Sequence, residues 1–257
     1  MILAIDIGNT NIVIGGIDEK KTYFLERVTT HVHKTDLEYA VMLKSILEIH
    51  TLTSKEIEGV ILSSVVPPLN PVMRNAVKKI TGMNALMADH TLKTGMKLLT
   101  DHPDTVGADL IVDSVAAKNK YPLPIIVIDL GTATTLTVVD KNGDYTGGII
   151  HPGLIVSLES LSNRTAQLPH IDLKQPGKII AKNTIESMRS GILYGHASMI
   201  DGCIDRMEKE LGCRASIVMT GGLAPFIAPL CLHRVIVDED LMLKGLLLLY
   251  RENTQAE

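Results

Sequence analysis

The chain opens with two apolar runs, residues 2–6 and 12–17, separated by Gly8-Asn9-Thr10-Asn11. Both runs read as strands, and the Gly and Asn between them tolerate the backbone of a tight hairpin. A third strand is expected over residues 23–28. Apolar positions at Leu37, Val41, Leu43, Ile46, Leu47 and Ile49 recur with helical spacing and predict an amphipathic helix over 36–50. Residues 59–66 (GVILSSVV) are apolar and β-branched and stop at Pro67-Pro68, which marks a buried strand with a fixed end. A helix over 71–81, a strand over 83–88 and a helix over 105–120 complete the first half.

The pattern then starts again. Residues 125–140 (IIVIDLGTATTLTVVD) repeat the layout of residues 1–18 (MILAIDIGNTNIVIGGID): a strand ending in Asp-apolar-Gly, a small polar turn, and a returning strand. A third strand follows near 145–150. Asn183-Thr184-Ile185-Glu186 has capping-box spacing and starts a helical stretch, with Gly191, Gly195 and Gly202 interrupting the pattern as far as Glu210. Strands over 215–220 and 235–237 and a helix over 241–250 follow, with a polar, fraying tail beyond Tyr250. Pro122 and Pro124 set the expected boundary, giving domains 1–120 and 121–257. Two related α/β domains, each a strand hairpin followed by alternating helices and strands, imply a ligand cleft between them.

Composition narrows the function. The 257 residues are 46% hydrophobic, enough for a sizeable core. A net charge of −4 leaves no basic surplus for nucleic acid, and no apolar run approaches the ~18 residues of a membrane span. Cys203, Cys213 and Cys231 form no Cys-x-x-Cys pair, which favours a reducing compartment. No basic stretch precedes an apolar one at the N-terminus, so a cytoplasmic location without a signal peptide is expected.

The two turns carry the candidate chemistry. Gly, Asn and Thr present backbone N–H groups and hydroxyls without bulk, so phosphate oxygens can come close. Neither turn contains Lys or Arg, and no P-loop or Gly-x-Gly-x-x-Gly string occurs. Phosphate charge then calls for cations, with Asp6 and Asp129 as oxygen anchors suited to Mg²⁺. Asp109, after Gly107-Ala108, falls in the first turn of a helix. There it serves either as a helix-start residue or as a base for a hydroxyl attacking phosphorus. Thr220-Gly221-Gly222 leaves a strand with room for a flat ligand, or is an ordinary turn. Gly147-Gly148 and His151-Pro152-Gly153 read the same two ways. His31 and His33 lack a third ligand nearby in sequence, and Ser63-Ser64 sits in no nucleophile elbow.

In combination these motifs resemble the acetate and sugar kinase, Hsp70 and actin superfamily, and within it the type III pantothenate kinases. The carriers are DIGNTNIVIG (6–15), SSVVPPL (63–69), Gly107-Ala108-Asp109, DLGTATT (129–135), GGIIHPG (147–153), Lys182-Asn183-Thr184, SGILYG (190–195) and TGGLA (220–224), spread over most of the chain. The resemblance implies two ribonuclease H-like domains and transfer of the ATP γ-phosphoryl group to pantothenate, the first step of coenzyme A synthesis.

Under that resemblance Asp6, Gly8, Asn9, Thr10 and Asn11 form the first phosphate hairpin, with Asp6 near a divalent cation, Mg²⁺ with ATP. Gly131, Thr132, Thr134, Gly221 and Gly222 bind ATP, and Asp129 holds a monovalent cation, K⁺ or NH₄⁺. Asp109 is the implied general base. Thr100, Gly107, Ala108, Leu110 and Thr184 line the acceptor side, Thr184 across a homodimer interface. Two positions depart from the family pattern: Leu110 stands where Arg is usual and Thr100 where Tyr is usual. Those departures raise a kinase for another hydroxylated acid as an alternative. A non-catalytic accessory or regulatory homologue is the other. Lys93, Lys97 and Arg164 are the cations that could replace the arginine.

Overall fold

The computed structural model describes residues 1–89 and 91–254. Contacts divide the chain into two compact units, residues 1–119 with 240–257, and residues 120–239.

The first unit is built on a five-stranded sheet in the order β3-β2-β1-β4-β5. β1 (Ile2–Ile7) pairs antiparallel with β2 (Asn11–Ile17), which pairs with β3 (Thr22–Thr29), while β4 (Gly59–Ser64) and β5 (Leu86–Ala88) run parallel to β1. β1 is apolar on both sides because helices cover both faces, as expected of a strand with a parallel neighbour. Ile5 and Ile7 join the core beneath α1 (Asp36–Ile49) and α2 (Asn70–Thr81). Ile2, Ala4 and Ile61 join a second core beneath α3 (Ala108–Lys120) and α7 (Leu241–Thr254). Thr35 caps α1 with a full capping box, its side chain accepting from the Glu38 N–H, and α2 ends on Gly82 in a left-handed conformation.

The second unit repeats the plan. β6 (Ile125–Leu130), β7 (Ala133–Val139), β8 (Tyr145–Pro152), β9 (Ser216–Thr220) and β10 (Ile236–Val237) lie in the order β10-β9-β6-β7-β8. Read from the other edge, this is the first sheet strand for strand. The register shift between β2 and β3 at Gly16/Ile17 recurs between β7 and β8 at Val138/Val139. Ile126, Ile128 and Leu130 face a core closed by α4 (Leu154–Arg164), α5 (Thr184–Leu211) and α6 (Ala224–Ile227). Among the described residues no helix is long and apolar enough to cross a membrane.

Three expectations are corrected. The closing helix α7 belongs to the first unit, not to a 121–257 domain. Its buried Leu241, Leu243, Leu246 and Leu249 supply apolar cover for the far face of the first sheet. Gly191, Gly195 and Gly202 do not interrupt α5, a single helix of 28 residues. Each isolated glycine costs roughly 1 kcal/mol in helix propensity, which burial of Met188, Ile192, Leu193, Ile200 and Ile204 offsets. The expected fraying begins too early: α7 is helical to Thr254, with Arg251 bonded to Glu19 (2.7 Å) and Glu58 (2.6 Å) and Asn253 to the Lys93 backbone. Residues 255–257 of that tail lie outside the described residues.

α7 approaches α3 at Gly245, where an added Cβ would run into the Val112 carbonyl. Gly245→Ala is therefore expected to force the two helices apart and to destabilise the protein by about 1–3 kcal/mol. Urea unfolding measures this, and an unchanged midpoint would show that the contact yields freely.

Candidate active site

Each sheet places a carboxylate at the penultimate residue of its central strand. Asp6 in β1 pairs with Val13 of β2 and Ser63 of β4. Asp129 in β6 pairs with Thr135 of β7 and Thr220 of β9. Alternation along a strand puts Asp6 on the face of Ile2 and Ala4, the face covered by α3 and α7. It puts Asp129 with Ile125 and Val127, opposite the face that packs on α5.

Beyond each carboxylate lies a hairpin with an exposed tip. In the first, Gly8 N–H donates to the Asn11 carbonyl (3.0 Å), and Asn9, Thr10 and Asn11 are exposed. Thr30 braces this turn: its N–H donates to Thr10 O (2.9 Å) and its hydroxyl to Gly8 O (2.7 Å). In the second, Gly131 N–H donates to the Ala133 carbonyl (3.0 Å), with Gly131 and Thr132 exposed. Gly153 N–H donates to Thr132 O (3.1 Å), and a Cβ on Gly153 would fall 2.6 Å from Gly131 O. The 147–153 segment, open to two readings in sequence, is thus the end of β8 and a brace for the turn. Thr30 escapes a motif search because its bracing depends on register, whereas Gly153 falls in a motif whose bracing role only the structure assigns.

The Asp129 carboxylate sits where two side chains are missing. A Cβ on Gly221, whose φ is +93°, would lie 2.7 Å from Asp129 Oδ1, and one on Gly131 would lie 3.3 Å from Oδ2. The carboxylate is a hard oxygen donor beside glycine backbone, which suits a hard cation better than a soft metal. Asp6, half-buried below its own turn, offers a hard oxygen donor suited to Mg²⁺. Gly222 is exposed next to Gly221.

Asp109 lies in the first turn of α3, with Gly107 and Ala108 leading into it. Its Oδ1 accepts the Leu110 N–H at 2.9 Å, and the carboxylate folds back over Gly107, where a Cβ would meet it. Burial pushes its pKa above the usual carboxylate value, partly opposed by backbone N–H donors. α3 packs through Ile111, Val112 and Val115 onto the face of the sheet that carries Asp6. Asp6 and Asp109 thus share one face of one sheet. In the same unit Thr100 has its hydroxyl oxygen buried with no hydrogen-bond partner among the described residues. Thr184, in the second unit, is exposed at the first position of α5, beside the capping Asn183 whose side chain accepts from the Glu186 N–H (2.9 Å).

Thr134 departs from its expected role as a phosphate contact. It is 0% exposed and its hydroxyl bonds His196 Nε2 (2.8 Å), because Thr134 shares the face of Leu130, towards α5. His196 is itself buried, its pKa brought down to about 4 by burial and by His151. This neutral pair supports the hairpin from below. Of the cations expected to replace the arginine, Arg164 closes α4 and Lys93 joins the α7 terminus through its backbone; neither has an ion pair described to the acceptor residues. Asp205, Glu208 and His233 also have ligand atoms within 4.8 Å of one another. They are already engaged, Glu208 with Arg214 (2.6 Å) and His233 with Asp201 (3.0 Å) and Asp205 (3.1 Å), and tie α5 to the loop before β10.

Comparison with known proteins gives a consistent result. The family model for type III pantothenate kinase matches residues 2–206. The type III pantothenate kinase of Geobacter sulfurreducens is 41% identical over 255 residues, 99% of this chain and 100% of that protein. That of Listeria monocytogenes is 41% identical over 253 residues, 98% of each. Among solved structures, a Campylobacter jejuni protein grouped with the Baf family of transcriptional activators superposes with a TM-score of 0.63 at 18% identity, covering 99% of this chain and 100% of its own. A ROK hexokinase from Thermus thermophilus does so at 0.53 and 12%, covering 99% of both. These structural likenesses establish the two-domain α/β fold shared with sugar kinases. The sequence match establishes the family: this chain is a member of the type III pantothenate kinases.

Proposed function

We propose that this chain transfers the γ-phosphoryl group of ATP to the primary hydroxyl of pantothenate, the first step of coenzyme A synthesis, in the cytoplasm. The observation that carries the reading is the full-length match to enzymes of that name, together with a base-competent Asp109 on the sheet face of Asp6.

The residues divide the work. In the first unit the exposed backbone of Asn9 and Thr10, and in the second that of Thr132 and Gly222, are the groups offered to ATP. Asp6 would hold the divalent cation and Asp129 the monovalent one, whose charges, when bound, offset that of the phosphates. Asp109 accepts the hydroxyl proton as the hydroxyl oxygen bonds to the γ-phosphorus and the bond to ADP breaks. Its Oδ1 is fixed by the Leu110 N–H, so the carboxylate is oriented before substrate arrives. Its raised pKa makes it a better proton acceptor than an ordinary carboxylate.

The acceptor side carries the second reading, a different hydroxylated acid. Leu110 gives no charge to pair with a substrate carboxylate, whereas the buried Thr100 hydroxyl offers a polar partner. Exposed apolar side chains support homodimerisation near Thr184. Ile150 on the edge strand β8 is 76% exposed, and Ile179 and Ile180 ahead of α5 are 64% and 81% exposed.

ADP release with pantothenate, with and without K⁺, tests the assignment; no pantothenate-dependent turnover would sink it. Asp109→Asn is expected to lower kcat by at least ~100-fold with ATP binding intact. In the wild type, kcat/KM should fall on the acid side as pH drops through a pKa above the usual carboxylate range. Near-normal turnover of the variant would leave Asp109 a helix-start residue. Leu110→Arg is expected to lower the pantothenate KM roughly tenfold, the effect of one charge-assisted pair; an unchanged KM means another cation already binds the carboxylate. Ile180→Lys should convert a dimer to monomer in sedimentation, and a wild-type monomer would remove the dimer from the proposal.

A further inference from the structure

The position across the parallel strand from each carboxylate is a hydroxyl residue in both sheets: Ser63 opposite Asp6, Thr220 opposite Asp129. Ser63 is 0% exposed, and its Oγ finds no hydrogen-bond partner among the described residues. Directly paired residues of adjacent strands project to the same side with Cβ atoms about 5 Å apart. That brings the Ser63 hydroxyl within side-chain reach of the Asp6 carboxylate. A buried hydroxyl without a partner destabilises the fold, and alanine or valine would fill a strand at this depth without that cost.

We infer that Ser63 is a positioning residue for Asp6: its hydroxyl serves the carboxylate when Asp6 takes up the divalent cation. The inference rests on the reading of Asp6 as the divalent-cation anchor. Ser63 itself is too enclosed to be a ligand. It acts by donating Oγ–H to one carboxylate oxygen, which fixes the rotamer and leaves the other oxygen for the cation. Partners behind a metal ligand orient and tune it in this way. The repeat supplies an independent argument, since the duplicated sheet keeps a hydroxyl at the same register beside its own carboxylate.

Two readouts on purified protein test this, neither requiring turnover. The first is the Mg²⁺ concentration for half-maximal ATP binding, followed by calorimetry. The second is the thermal midpoint without nucleotide. Ser63→Ala is expected to raise the Mg²⁺ requirement roughly tenfold while raising the midpoint by about 2–4 °C. Ser114→Ala removes another buried hydroxyl with no hydrogen-bond partner among the described residues, on α3. It should raise the midpoint similarly and leave the Mg²⁺ requirement unchanged. An unaltered Mg²⁺ requirement in Ser63→Ala overturns the inference. So does a lowered midpoint or failure to fold, which would mean that the hydroxyl has a structural partner. An equal Mg²⁺ effect from Ser114→Ala overturns it as well. Wild-type protein that binds ATP without any Mg²⁺ dependence instead removes the reading of Asp6 beneath it.

Discussion

Both sheets of this protein depend on one constraint: the central strand is buried on both faces, so its only polar side chain must stand where the strand stops. β1 is enclosed from Ile2 to Ile5, and β6 from Ile125 to Ile128. A carboxylate anywhere earlier in either strand would be sealed in apolar surroundings, at a cost of several kcal/mol. At the penultimate position it is half-buried, next to a turn whose tip is open. The same burial that holds the sheet together thereby leaves Asp6 and Asp129 at the strand ends, beside the polar turns. The glycines that follow leave backbone, rather than side chains, beside the carboxylates.

Much of this was legible because it is local. The Asp-apolar-Gly phrase, its recurrence and the strand-turn-strand pattern are sequence-adjacent, and the paired sheets realise them strand for strand. What stayed hidden depends on contacts between distant residues. Nothing in residues 241–254 distinguishes a helix that covers the nearer sheet from one that returns to the first. The decision lies in Leu243 against Gly15 and Gly245 against Val112. Thr134 sits among small polar residues and looks like a ligand contact, yet strand alternation turns it towards His196. Ser63 shows the reverse: it looks inert in sequence and gains meaning only through register with Asp6.

Donor and acceptor chemistry are separable in this architecture, and that bears on the departures at positions 110 and 100. The residue after Asp109 holds that carboxylate through its backbone N–H, a contact that any side chain except proline leaves intact. The Leu110 side chain therefore plays no part in the hydrogen bond that holds the Asp109 carboxylate. Under the proposed function, an uncharged residue at 110 bears on recognition of the acceptor. Thr100 fits the same reading, for its buried hydroxyl has no hydrogen-bond partner among the described residues. The phosphate hairpins are braced from outside that region, by Thr30 in one and Gly153 in the other. Under the proposed function, substitution on the acceptor side thus leaves these braced turns standing and bears on what is phosphorylated, or how tightly it is held.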